Sequence, residues 1–403
     1  MAIVPAVEIR PDIHWVGVND HTTDLFEGLW PISREGVSYN AYFINAGKKA
    51  IIDLAKSIKV DEFLDRLREL SDPQAIDYIV LNHMEPDHTG ILKVLRDIAP
   101  SSTIVCSAKA KPMIEGFFGI TDNVEIVEDG QTIDLGGKTL TFHMTPFVHW
   151  PETMMTYEEN EKILFSCDGF GGYGALRGAI FDDEYADFGF YRQESLRYYA
   201  NIVASFSAHV LRAIDRLADI PVEVIAPSHG LIWRENPSLI VDLYRKWAEY
   251  ADNGGEQAVT LIYGSMYGNT ETLMDAVFQG LSHSGVNVEA FDIARTHASY
   301  ILPALWSNRG VLLGVPTYEN RLFPPAAHLL DLAERKNMNN KLCGYFGSYG
   351  WAGGAVRELE KRIGPLRWEL VESFAFRGGA TREKCTQGKD FGLRFGRMIL
   401  EST

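Results

Sequence analysis

Apolar residues fall into short blocks over the first part of the chain and into a regular alternation over the last part. Blocks at 41–44 and 50–53 flank the turn residues Gly47, Lys48 and Lys49, which predicts a β-hairpin. Further short β-type blocks at 78–81, 103–105, 163–166 and 222–225 predict strands. Helical spacing of apolar residues predicts helices over 60–70 and across 192–217. Strands mixed with helices, and with chemically rich loops just after the strands, predict a layered α/β domain of αββα type. After residue 257 the order is simpler. Predicted strands at 259–262, 286–291, 311–314, 342–346 and 368–371 alternate with helical stretches, the pattern of a doubly wound parallel sheet. Between the two patterns lies Tyr-Ala-Asp-Asn-Gly-Gly-Glu-Gln (250–257), polar residues around a glycine pair. The predicted domains are therefore 1–254 and 255–403.

Length and composition agree with this division. A chain of 403 residues exceeds one ordinary hydrophobic core, and 46% hydrophobic with 23% charged residues is a globular balance. The net charge of -16 and the absence of a Lys/Arg-rich block argue against nucleic acid as a partner. The first residues lack the basic and apolar regions of a signal peptide, and no apolar run is long enough to span a bilayer, so no membrane association is expected. Cys106, Cys167, Cys343 and Cys385 form no C-x-x-C pair, which leaves no rubredoxin-type or zinc-ribbon module and fits a reducing cytoplasm.

The densest chemistry follows the strand block at 78–81: His83, Glu85, Asp87 and His88 lie within six residues, on a turn stiffened by Pro86. Three further candidates stand near strand ends beside or close to Gly or Pro, where a rigid scaffold displays chemistry: His149, Asp168 and His229. The other histidines (His14, His21, His143, His209, His283, His297 and His328) are isolated and carry no pattern. Carboxylates and imidazoles without thiolate suit iron or manganese better than an all-imidazole zinc site would.

In the last part of the chain the loops after strands are the ones to read. Ser265, Met266, Tyr267, Gly268, Asn269 and Thr270 follow the first strand and open a helix, so hydroxyls and backbone amides can cradle a phosphate without a lysine. Such a cradle resembles the phosphate loop of flavodoxins, and by that resemblance two later loops would flank a flavin ring. One carries Pro316, Thr317, Tyr318 and Asn320, and the other Ser348, Tyr349, Gly350, Trp351 and Gly353. Glycines there let amides approach the ring, and Tyr349 or Trp351 can stack on it. Nothing supplies an adenylate site, so FMN is favoured over FAD.

The order His-x-Glu-x-Asp-His, then a lone His, Asp and His, resembles the metallo-β-lactamase fold, and Glu85 at its third position resembles the flavodiiron proteins. The phosphate loop resembles that of flavodoxins. This resemblance covers almost the whole chain. It implies a diiron centre with one iron on His83, Glu85 and His149 and the other on Asp87, His88 and His229, Asp168 bridging them; the family does not use the His88 position uniformly as a ligand. It also implies reduction of O2 to water or NO to N2O, with electrons passed through FMN from an external donor, a rubredoxin or a reduced deazaflavin. A head-to-tail homodimer, or a tetramer, is implied as well. Two other readings stay open: a zinc hydrolase of the lactamase fold with an appended flavodoxin, and a metal-free FMN electron carrier.

Overall fold

The computed structural model describes residues 5–176 and 179–402. Met1 to Val4, part of the segment on which the absence of a leader was read, lie outside the described residues. Among the described residues no helix is long and apolar enough to cross a membrane. The chain divides into two compact units, one of residues 1–199 and 208–245, the other of residues 200–207 and 246–403.

The first unit is built on two sheets. The hairpin predicted around Gly47 is Tyr42–Asn45 paired antiparallel with Lys49–Ile52, in a seven-stranded sheet that continues in parallel through Tyr78–Leu81, Thr103–Cys106 and Val124–Ile126. The second sheet runs Thr132–Asp134, Thr139–Met144, Met154–Glu158, Ile163–Cys167 and Val224–Pro227. Both faces of its central strands are buried, so Met154–Glu158 and Ile163–Cys167 read as unbroken buried runs, not as an alternation. The sheets meet where the tilted rings of Tyr42 and Phe165 pack together, centroids 4.9 Å apart, and where the Tyr42 hydroxyl donates to the Pro227 carbonyl. Helices such as Val60–Leu70, which buries Phe63, Leu64 and Leu67, complete the αββα sandwich.

The single helix predicted over 192–217 is instead broken. Phe188–Tyr198 is α-helical, Tyr199–Val203 is a π-turn, Ala204–Phe206 is a 3-10 turn, and Ser207–Leu217 is α-helical again. Buried side chains continue through the break, so periodicity alone could not reveal it. Polar side chains hold it: Asn201 Nδ2 donates to Ser299 Oγ at 2.6 Å, and Ser207 Oγ donates to the Ala204 carbonyl at 2.8 Å.

The second unit carries a five-stranded, wholly parallel sheet ordered Asn287–Asp292, Glu256–Tyr263, Asn308–Gly314, Leu342–Tyr349 and Glu369–Arg377. That 2-1-3-4-5 order is the flavodoxin-like arrangement. Val259, Leu261, Leu312 and Phe346 from the strands pack on Leu273, Val277, Phe391 and Phe395 from two covering helices. Only Gly254 and Gly255 separate the helix Pro237–Asn253 from the first strand, a shorter connection than the polar stretch 250–257 suggested.

Candidate metal and flavin sites

The seven metal candidates converge on one buried point of the first unit. The strand Tyr78–Leu81 ends, and the short helix Pro86–Thr89 starts with Pro86 in its first turn, so residues 83–88 wrap around the strand's carboxyl end. Cys167, with φ of 53°, turns the chain sharply after Ile163–Cys167 and aims Asp168 into the same space. His229 follows Val224–Pro227, the strand parallel to it.

The distances sort these side chains into two sets around Asp168. Its Oδ2 lies 3.4 Å from His83 Nε2 and 3.2 Å from His149 Nε2, while Glu85 Oε2 lies 3.3 and 3.1 Å from the same two nitrogens. Its Oδ1 lies 3.1 Å from His88 Nε2 and 3.4 Å from His229 Nε2, while Asp87 is 3.3 Å from each. Donors held roughly 2.1 Å from one ion at tetrahedral or octahedral angles stand about 3.0–3.4 Å apart, so each set has the edge lengths of a coordination shell. Asp87 Oδ1 and Oδ2, His88 Nε2, Asp168 Oδ1 and His229 Nε2 are buried with no hydrogen-bond partner. Buried polar atoms without partners are costly, and a cation on each side of Asp168 would satisfy them. The residues fit a pair of metal ions.

Electrostatics point the same way. Burial works against the charge of Glu85, yet hydrogen bonds from His149 and His83 hold its carboxyl down at about 2. Burial likewise disfavours charge on His88, but Asp87 and Asp168 push its pKa up to about 10. His149 is raised to about 10 against burial by Asp168 and Glu85. Burial disfavours the Asp168 anion too, and His88, His149 and His83 outweigh it, keeping the carboxyl well below its usual range. Glu85 and Asp168 are thus anionic at neutral pH, and cations bound here would displace protons from His88 and His149.

Several supporting residues escaped the sequence reading. Glu152 Oε1 accepts from His83 Nδ1 at 2.7 Å and from the Met84 amide at 3.0 Å, which leaves His83 Nε2 facing the cluster. The Ser38 carbonyl does the same for His229 Nδ1 at 2.7 Å. Asp53 accepts from the amide of Asn82 at 2.8 Å and so ties the loop's first residue to the neighbouring strand. Phe26, Tyr39 and Tyr198 pack their rings around His229. Glu152 alone left a legible signal, an acid three residues after His149; a backbone carbonyl or a ring from elsewhere in the sequence leaves none. A cavity of 250 Å³ lined by Phe26, Tyr39, Lys56, Glu85 and Asp87 opens onto the cluster.

In the second unit the loop from Ser265 to Thr270 follows Glu256–Tyr263. Gly268, with φ of 84°, caps the helix Asn269–Ser284, and its amide donates to Ser265 Oγ at 3.0 Å. Thr270 and Ser348 hydroxyls lie 3.1 Å apart and link the first and third loops. Pro316 is buried; Thr317–Tyr318 pairs with Arg321–Leu322 around Glu319 and Asn320, both at positive φ, as a tight hairpin turn requires. Met266, Tyr267, Tyr318 and Trp351 are exposed, Trp351 by 78%; Gly350 and Gly353 stand open beside it. A cavity of 500 Å³ lies along Thr317, Tyr349 and Gly353. A helix N-terminus with hydroxyls and backbone amides gathered at it, and large rings left in water nearby, fit a phosphate and a planar aromatic ligand.

Fold and sites together define a two-unit redox-type protein, with a carboxylate–imidazole dinuclear site in one unit and a flavodoxin-like site in the other. The family model described as ODP family beta lactamase matches residues 37–230, and the flavodoxin model matches residues 261–390. The anaerobic nitric oxide reductase flavorubredoxin of Enterobacter sp. (strain 638) is 38% identical over 374 residues, 91% of this chain and 77% of that one. Among solved structures, the rubredoxin oxygen:oxidoreductase from the anaerobe Desulfovibrio gigas superposes with a TM-score of 0.92 at 29% identity, covering 98% of this chain and 100% of that one. The flavodiiron protein from Giardia intestinalis gives a TM-score of 0.92 at 28% identity, covering 98% and 97%. The chain belongs to the flavodiiron protein family.

Proposed function

We propose that the chain is a flavodiiron oxidoreductase that reduces O2 to water, NO to N2O, or both. The observation that carries this reading is Asp168, whose two oxygens face two separate ligand sets. We assign His83, Glu85 and His149 to one iron, Asp87, His88 and His229 to the other, and Asp168 to both. FMN takes the loops that carry Ser265 to Thr270, Pro316 to Asn320 and Ser348 to Gly353. When bound, the irons and flavin supply redox and substrate-binding chemistry, and together they hold the four electrons that O2 + 4 e⁻ + 4 H⁺ → 2 H2O consumes. The parallel reaction, 2 NO + 2 e⁻ + 2 H⁺ → N2O + H2O, needs two.

The chain's own residues orient and insulate. Glu152 and the Ser38 carbonyl fix which imidazole nitrogen faces the cluster, and Phe26, Tyr39 and Tyr198 wall it with rings. Relatives named for rubredoxin support an external rubredoxin-type donor, with a reduced deazaflavin as the alternative. We place the domain division at Gly254, the protein in the cytoplasm, and the active form as a head-to-tail homodimer, or a tetramer, in which the FMN of one subunit serves the irons of its partner. Anaerobic turnover with each gas, fed by chemically reduced rubredoxin, tests the activity. Water or N2O with little free peroxide is expected. Stoichiometric peroxide, or consumption of neither gas by protein replete in iron and FMN, would overturn it.

A further inference from the structure

A groove of 360 Å³ in the first unit lies between the end of the strand Thr139–Met144 and the helix Ser207–Leu217. Its lining includes Met144, Thr145, Pro146, His209, Arg212 and Arg216, none of which belongs to either cofactor site. His209, Arg212 and Arg216 stand three and four residues apart, which puts them on one face of the helix. The chain's net charge is -16, yet no carboxylate of the described residues lines this groove. Lys109 adds a further positive charge nearby, over the Phe147 ring that packs on His209 with centroids 4.7 Å apart.

Its polar side chains hold bonding capacity that the protein leaves unused. Arg212 is exposed and makes no ion pair among the described residues; Asp215, three residues on, pairs with Arg245 at 2.7 Å instead. Arg216, four residues after Arg212, is a like charge at a spacing where like charges repel. It pairs with Asp129 and donates to the Met144 carbonyl at 3.2 Å, but a guanidinium has five N–H groups, so donors remain. His209 Nδ1 donates to the Pro146 carbonyl at 3.1 Å, and burial and the charge of Arg212 push its pKa down. Thr145 is 3% exposed, and its hydroxyl has no hydrogen-bond partner, a costly state for a buried polar group.

We propose that this groove binds a phosphate group, free or in a small ester, between Arg212 and Arg216 and against the Thr145 hydroxyl. A tetrahedral anion has enough oxygens to meet two guanidinium groups and a hydroxyl together, which the two oxygens of a carboxylate do not. A volume of 360 Å³ lies at the small end of ligand sites, roughly 300–1,000 Å³, so the organic part of an ester has room. The site is independent of what the metal centre reduces. Isothermal titration calorimetry of the iron- and FMN-loaded protein at fixed ionic strength tests it, with inorganic phosphate in one arm and glycerol phosphate in the other. Bound FMN keeps the titrant out of the flavin's own phosphate loop. At least one probe should bind with a dissociation constant of about 1 mM or tighter, and the tighter of the two identifies the source. Arg212 is exposed, so Arg212→Ala should leave fold, iron and FMN unchanged while weakening the probe about tenfold or more. Thr145→Val should weaken it about threefold. Affinity weaker than about 1 mM for both probes, or equal affinity in Arg212→Ala, overturns the proposal. Phosphate captured by the irons instead would change their absorption spectrum and survive Arg212→Ala, which overturns it as well.

Discussion

Glu152 is the most informative residue to change, because it touches no metal in this account and yet governs one. Its carboxylate is 2% exposed and takes two hydrogen bonds, from His83 Nδ1 at 2.7 Å and from the Met84 amide at 3.0 Å. Glu152→Ala removes Oε1, the one acceptor of both bonds, and leaves two buried donors. Loss of such a partner behind a ligating histidine costs about 10–100-fold in metal affinity, or about 1.4–2.7 kcal/mol. Glu152→Gln keeps an acceptor for both donors but loses the charge. It also places an NH2 where Oε2 has no hydrogen-bond partner, so its effect should fall between wild type and alanine. The assay is competition for iron with a chromophoric chelator, with circular dichroism confirming the fold. If Glu152→Ala holds iron within about twofold of wild type, the argument that the second nitrogen's partner orients His83 is wrong.

Asp168→Ala should cost the chain its iron pair while FMN stays bound, since the flavin loops lie in the other unit; full iron occupancy in that variant would refute the bridging role. Gly354→Ala would put a Cβ 1.9 Å from the Asn320 carbonyl, displacing the turn between two flavin loops. FMN affinity by fluorescence titration should fall about tenfold, and an unchanged value would show that the turn does not shape the site. Lys341 is buried, donates to the carbonyls of Gly254 and Trp306 at 2.8 Å each, and is pushed down to about 7 by burial and by Arg309. Between pH 7 and its ordinary 10.5 the unfolded chain binds a proton that the folded chain releases, so this residue makes stability rise with pH across that window. Urea unfolding should show the slope reduced by up to about 1.4 kcal/mol per pH unit in Lys341→Met relative to wild type; equal slopes would contradict it.

Much of this was legible in the sequence because the metal loop is local. Residues 83–88 lie on one turn between a strand and a helix, so their nearness in the chain is nearness in space. His149, Asp168 and His229 come from far along the chain, and their placement near strand ends, with the resemblance of the ligand order to the metallo-β-lactamase fold, linked them to that loop. What holds the site was mostly hidden. The Ser38 carbonyl is a backbone atom with no sequence signature, and Phe26 and Tyr198 reach His229 from opposite sides of the unit's sequence. The broken helix at Tyr199–Val203 was missed because its buried face continues through the π-turn. The parallel sheet of the second unit was clearer, since each strand is a compact apolar run and each connection a helix. Its hairpin at Glu319 and Asn320 was less so, because a glutamate at positive φ is not what composition suggests for a tight turn.

The central claim, that one chain joins a carboxylate-bridged iron pair to a flavin, is most directly tested by metal and flavin analysis of protein purified without oxygen. Mass spectrometry of the metals, with acid release and chromatography of the flavin, should give two irons and one non-covalent FMN per chain, one iron for each ligand set around Asp168. Zinc in place of iron, or FMN bound to a chain that takes up no metal when iron is supplied, would contradict it.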